Sequence, residues 1–238
     1  MTLTELDTTQ TFYRSLLAAH GDTPAAVGWD ASNQRRRFEV LTAGWNVQGA
    51  SILDVGCGRG DLHAWLMERG FQGLYTGIDV VPEFVALANA RTEGRCTVAD
   101  AQTDPLPACD YLIATGVFNL DLGGGWQNPW WWDVLNRIWQ AAGKGMAFDC
   151  LCTCRTPQDA RQVYRDPTTL ANVLFERFHG AVVRLTHNDP PGNLIVQLTK
   201  QEVANAIEKW NESGNDQQEH QRVTTQRTPS EAISSDCS

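Results

Sequence analysis

Three carboxylates and a group of glycines carry the most chemistry in this chain. Asp54, Asp79 and Asp100 each close or follow a short apolar run, and Gly56, Gly58 and Gly60 come directly after the first. Glycines are needed where the backbone turns with positive φ or approaches a ligand with no Cβ in the way. A helix beginning beyond such a turn offers unpaired N–H groups to an anionic part of a ligand. A carboxylate at Asp79 can take both hydroxyls of a ribose, and Asp100 is placed to accept from an adenine amino group. The spacing is G-x-G-x-G. A dinucleotide fingerprint wants its third glycine at 61, where this chain has Asp61, and Asp54 departs from an apolar dinucleotide strand.

The elements that must position these groups alternate. Apolar runs at 51–55, 74–79, 96–99, 110–115 and 146–152 read as strands, separated by helical spacing at 61–69, 82–92 and 129–142, with a further helix at 167–178. Pro82, Pro129 and Pro167 suit first helical turns, with Asn128 and Asp166 able to cap the last two. Such alternation implies α/β architecture: a mostly parallel sheet between two helical layers. Ala181–Thr186 and Leu194–Thr199 flank a turn-rich segment and read as a terminal antiparallel hairpin. Before the first strand, helices over Thr8–His20 and Ser32–Trp45 form an N-terminal extension, residues 1–46, with the core at 47–200. Capping-box spacing at Thr199-Lys200-Gln201-Glu202 starts a short amphipathic helix, 201–213, and the polar remainder, 214–238, reads as disordered.

Bulk properties narrow the field. A chain of 238 residues with 42% hydrophobic content can bury one sizeable core. No apolar run is long enough to span a membrane, and Met1-Thr2-Leu3-Thr4-Glu5 lacks signal-peptide character, so a cytoplasmic setting is expected. Seven unevenly spaced cysteines argue for reduced thiols rather than a disulfide framework. A net charge of -9 argues against a partner gripped mainly through phosphates. Arg35-Arg36-Arg37 is the sole basic run, and three consecutive helix residues point in three directions.

Glycine loop, acid, acid and a small residue at successive strand ends resemble the S-adenosylmethionine (SAM) site of the class I, Rossmann-like methyltransferases. A closer likeness is to small bacterial and phage-borne methyltransferases of unassigned acceptor. It rests on Gly28-Trp29, Gln34, Arg37-Phe38, Leu53-Asp54-Val55-Gly56-Cys57-Gly58, Tyr75-Thr76-Gly77-Ile78-Asp79, Gly116-Val117-Phe118-Asn119 and Tyr164-Arg165-Asp166-Pro167. The chain departs from that group at His187-Asn188-Asp189-Pro190-Pro191-Gly192. The resemblance implies a three-layer sandwich with seven strands in the order 3-2-1-4-5-7-6, and an N-terminal extension lying over the site. It also implies SAM as cofactor. Asp54 would orient the loop and the methionine amino group, and Gly56, Cys57 and Gly58 would allow close approach. Asp79 would hold the ribose and Asp100 the adenine amine, with Val80 and Ala101 flanking the ring. Thr115 and Gly116 would face the methionine portion, and Gln34 and Arg37 would reach its carboxylate.

The acceptor side is read from aromatic residues. Nine tryptophans are present, with Trp130, Trp131 and Trp132 in the first turn of one helix. Consecutive helix positions lie about 100° apart, so three span about 200°, wider than a core-facing stripe. Trp131 shares a side with Leu135 and Ile138, whereas Trp130 and Trp132 cannot both join it. One is left for a pocket, the N-terminal helices or a homodimer contact. Trp29, Phe118, Asn119, Trp126 and Trp130 are the candidate acceptor pocket. Catalytic candidates are Asn119, to orient an acceptor, and His187, the histidine to test as a base. Cys150, Cys152 and Cys154 alternate, and no second cysteine pair completes a zinc site. The expected activity is methyl transfer to a small-molecule acceptor by direct displacement. A SAM-binding sensor or partner subunit, and transfer to a macromolecule, remain open alternatives.

Overall fold

The computed structural model of the chain describes residues 1–124, 128–203 and 205. The first compact unit runs from Met1 to Lys200. In chain order it contains α1 (Leu3–His20), a 3-10 turn (Pro24–Val27), α2 (Ala31–Leu41), β1 (Ser51–Val55), α3 (Asp61–Met67), β2 (Leu74–Asp79), α4 (Pro82–Thr92), β3 (Cys96–Val98) and β4 (Cys109–Ala114). There follow α5 (Pro129–Ala141), β5 (Ala142–Cys152), β6 (Tyr164–Arg165), α6 (Pro167–Arg177), β7 (Ala181–His187) and β8 (Asn193–Lys200). In the second unit Gln201, Glu202, Val203 and Asn205 have helical backbone; the rest of the expected 201–213 helix and the 214–238 tail lie outside the described residues.

The sheet runs β3-β2-β1-β4-β5-β8-β7, with β8 antiparallel to both its neighbours. This is the expected order, with one strand added. Tyr164 and Arg165 pair in parallel with Leu151 and Cys152 to make an eighth, two-residue strand. So short a segment has no periodicity to read.

Three boundaries differ from expectation for local reasons. α1 starts at Leu3 because Thr2 and Glu5 form a capping box. α2 ends at Leu41, and Trp45 leaves the helix to stack on Tyr111 at 4.6 Å and donate its indole N–H to Thr199 at 3.0 Å. β5 begins at Ala142, four residues early. Its Gly143 and Gly145 look like turn residues in sequence, but a Cβ on Gly145 would lie 2.7 Å from the Leu198 carbonyl oxygen. They are strand glycines where another backbone comes close.

Side chains alternate between two cores, as a strand period of two requires. Leu53, Leu112, Phe148, Leu194, Val196 and Leu198 meet α5 and α6 on one face. Ile52, Ile113, Ala147 and Ile195 meet Phe38, Leu41, Trp65 and Leu66 from α2 and α3 on the other. His63 of α3 is buried against the Tyr75 ring at 4.8 Å. The three arginines of α2 go to three acids: Arg35 to Glu68, Arg36 to Asp189 at 2.6 Å, and Arg37 to Asp149. The basic run is therefore no patch.

Arg37 is fully buried, as is Asp149 in the middle of β5. Its guanidinium also donates to Asn193 Oδ1 at 2.7 Å and lies 3.5 Å over the Trp29 ring. Removing one partner of such a pair leaves an uncompensated charge in the interior. Arg37→Ala is expected to lower unfolding free energy by about 3–5 kcal/mol in urea titrations. A loss below about 1 kcal/mol would show that Asp149 finds another partner without it.

Candidate functional site

A cleft opens at the carboxyl ends of β1, β2, β3 and β4. Its floor is the turn between β1 and α3. Gly56 N–H and Cys57 N–H both donate to the Ile78 carbonyl, at 2.8 and 3.0 Å, which ties the turn to β2. Gly56 has φ +71°, and a Cβ there would lie 2.6 Å from Val117 Cγ2. Only glycine suits that point, and the backbone stays bare toward the cleft.

Each predicted carboxylate has a different state. Asp54 is buried at the end of β1; its Oδ2 accepts from Tyr75 Oη at 2.6 Å, while Oδ1 has no partner. Burial pushes its carboxyl up to about 7, against the lowering effect of the Tyr75 hydroxyl. Asp79 accepts Gly58 N–H at 2.9 Å and Val81 N–H at 2.8 Å. Burial nevertheless raises it to about 6. Asp100 lines the cleft, but its Oδ2 takes the Met1 ammonium at 2.6 Å and its Oδ1 takes Gln102 N–H at 2.9 Å. Thr115 faces the cleft with an unpartnered Oγ1.

The other predicted positions divide. Gly56, Cys57, Gly58, Val80, Ala101, Gly116, Gln34, Trp29 and Trp130 all line the cleft. Gln34 donates to Asp61 Oδ2 at 3.0 Å. Arg37 does not line it, because Asp149 and Asn193 hold the guanidinium inside. Phe118, expected in the acceptor pocket, is instead core, 5.4 Å from Trp131 and 5.5 Å from Phe148. Asn119 is likewise outside the lining and buried, its side-chain amide unpartnered and its carbonyl accepting Val163 N–H at 2.8 Å. His187 is exposed at the end of β7, beside Cys152 and Cys154 and away from the lining. Trp126 lies outside the described residues. In α5 the tryptophans do not separate cleanly: Trp130 and Trp131 are both buried in one core cluster, Trp130 also lining the cleft, while Trp132 packs against that cluster with its ring under Arg177 at 4.3 Å.

Sequence reasoning missed several lining residues. Tyr13 and Thr9 come from α1, Val27 from the 3-10 turn, and Leu120 and Leu122 follow β4. Gln10 of α1 also donates to the Val80 carbonyl at 2.7 Å. Nothing in the spacing of α1 marks these positions as cleft-facing. Arg59 and Asp61 were legible as charged residues in the glycine turn. Arg59 pairs with Asp22 at 2.8 Å and approaches Asp61 at 3.4 Å, so the arginine that lines the cleft already has two acidic partners.

Residues 52–142 match a family model described as a methyltransferase domain. Over 143 residues the chain is 35% identical to a Mycobacterium tuberculosis protein named "Putative methyltransferase Rv1506c", covering 57% of this chain and 84% of that one. Among solved structures, magnesium protoporphyrin IX methyltransferase (ChlM) from Synechocystis PCC 6803 with bound SAM is similar at TM-score 0.59 and 14% identity. That match covers 82% of this chain and 97% of the other. The DhpI-SAM-HEP complex is similar at TM-score 0.61 and 16% identity, covering 83% and 99%. At such identities these structures speak for the fold.

Burial raises Asp54 and Asp79 in the folded chain, so between about pH 4 and 7 these two groups hold more protons folded than unfolded. Their contribution to stability without ligand should therefore fall as pH rises through that window and level off above it. Asp54→Asn should match the parent near pH 4 and exceed it at pH 8, by at most about 4 kcal/mol. Urea titrations of both proteins across pH check this, and parallel curves would contradict it.

Proposed function

The chain belongs to the class I SAM-dependent methyltransferases, and from that premise we propose that it methylates a small molecule enclosed beneath its N-terminal helices. The observation carrying this reading is the cover. Thr9, Tyr13, Val27, Trp29 and Gln34 line the same cleft as Asp54, Asp79 and Gly116, so residues 1–46 act as a cap on the 47–200 core. A cleft roofed in this way admits a compact acceptor more readily than a folded macromolecule. Three separately neutralised arginines on α2 and the net charge of -9 weigh further against nucleic acid.

The residues present fit SAM. Asp54 Oδ1 is a buried acceptor without a donor, and an ammonium facing it would supply both hydrogen bond and counter-charge. Thr115 Oγ1, also unpartnered, would serve the same methionine end, with the bare backbone at Gly56 and Gly58 permitting close approach. Asp79 retains lone pairs beyond its two backbone bonds for ribose hydroxyls, and Val80 and Ala101 provide apolar sides for a planar base. Asp100 would accept from the adenine amine only in competition with the Met1 ammonium.

When bound, SAM supplies a methyl group already activated by its sulfonium, so the protein's task is in-line positioning and exclusion of water. Trp29 and Trp130, with Leu120 and Leu122, form the apolar part of the cleft that would receive the acceptor. Such walls suit a planar or cationic small molecule. No helix among the described residues is long and apolar enough to cross a membrane.

Asp79→Ala should weaken S-adenosylhomocysteine binding by about 10- to 100-fold in calorimetry, the value of charge-assisted hydrogen bonds to two hydroxyls. Affinity for SAM should rise with pH through about 7 as Asp54 ionises, and in Asp54→Asn only the rise near 6 that belongs to Asp79 should remain. Labelled-methyl transfer into a cell extract split by size should mark the small-molecule fraction. Trp130→Ala should reduce that labelling without changing S-adenosylhomocysteine affinity. Label in the macromolecular fraction would favour the rival acceptor class, and binding without transfer to any fraction would favour a SAM sensor.

A further inference from the structure

Cys152 ends β5, Cys154 lies in the turn beyond it, and His187 ends β7. β5 and β7 run in the same direction with β8 antiparallel between them, so both finish at one edge of the sheet. β8 pairs with β5 no further than Asn193 opposite Leu151, and the Gly192 carbonyl turns to accept Cys152 N–H at 3.0 Å. The space that β8 vacates lets side chains from strands two apart meet. His187 Nε2 lies 3.4 Å from Cys152 Sγ and 3.3 Å from Cys154 Sγ, and the three atoms all fall within 4.8 Å of one another.

We propose that Cys152, Cys154 and His187 bind a zinc-class divalent cation, with water as the fourth ligand. Zn–S bonds near 2.3 Å and Zn–N bonds near 2.0 Å in a tetrahedron place sulfur and nitrogen roughly 3.5 Å apart. Both sulfur–nitrogen distances here are within about 0.2 Å of that value. One imidazole nitrogen has a single in-plane lone pair, so two sulfurs at equal range fit a shared centre better than two separate hydrogen bonds. Cys154 N–H donates to Cys152 Sγ at 3.2 Å, the kind of outer bond that supports a coordinated thiolate. Cys152 is buried, whereas Cys154 and His187 are exposed, so the fourth position faces solvent. Thiolate and imidazole donors select zinc-like metals over magnesium or calcium. On binding, each thiol releases its proton to solvent and the imidazole coordinates through Nε2 as the neutral base. The sequence hides this site because a C-x-C pair and a distant histidine meet only through the sheet.

The test uses the reduced full-length chain, freed of metal by chelator and titrated with cobalt(II) as a spectroscopic substitute for zinc. One equivalent should bind with a thiolate-to-cobalt charge-transfer band, and zinc should displace it. Cys154→Ala and His187→Ala alter exposed positions and should fold, as circular dichroism will show. Each should weaken cobalt binding by at least about 10-fold, the lower range for disturbing a metal's surroundings. No charge-transfer band in the parent, or a band that survives both substitutions, overturns the assignment.

Discussion

A buried ion pair ties the N-terminal helix α2 of this enzyme to its sheet. Arg37 sits on the helix preceding the first strand, and Asp149 lies at the centre of β5, both without solvent contact. The two oxygens of Asp149 do different things: one meets the guanidinium, and the other accepts Gly116 N–H at 2.6 Å at the end of β4. Trp29 lies between the guanidinium and the Gly116 backbone, where a Cβ would come within 3.2 Å of its ring. One carboxylate therefore links α2, the Trp29 ring stacked on its arginine, and the end of β4 that borders the cleft. Ionic groups are costly to bury, and such a pair holds one arrangement because every alternative leaves a charge uncompensated.

The cleft itself is built around acids. Asp54 and Asp79 are raised by burial, and Arg59, which could have offset them, is spent on Asp22 and Asp61. A cleft in which one buried carboxylate oxygen, Asp54 Oδ1, lacks a donor suits a cationic group better than an anionic one. The same electrostatics give the site its preference and cost the unliganded protein stability.

Much of the fold was legible. Strand–helix alternation, the terminal hairpin and the glycine turn follow from periodicity and backbone stereochemistry, which act over a few residues. The side of the cleft built from the glycine turn and strand-end acids was legible for the same reason, since Gly56, Asp79, Val80 and Thr115 all sit at strand ends. The side beyond β4 was not. Phe118 and Asn119 follow β4 directly, yet the chain turns them inward toward Trp131 and the Val163 backbone, and Leu120 and Leu122 face the cleft instead. Arg37 looked like a ligand for a carboxylate and does bind one, but the carboxylate belongs to Asp149.

By itself, then, the sequence determined which of the longer segments become strands, where the backbone must be glycine, and which acids end the strands. Tertiary structure alone decided which helix roofs the cleft, which tryptophan faces it, and that Cys152, Cys154 and His187 meet. The reason is range. Backbone preference and side-chain periodicity are local properties of a chain, whereas the partner of a buried charge or sulfur is chosen by packing between segments 33 to 112 residues apart.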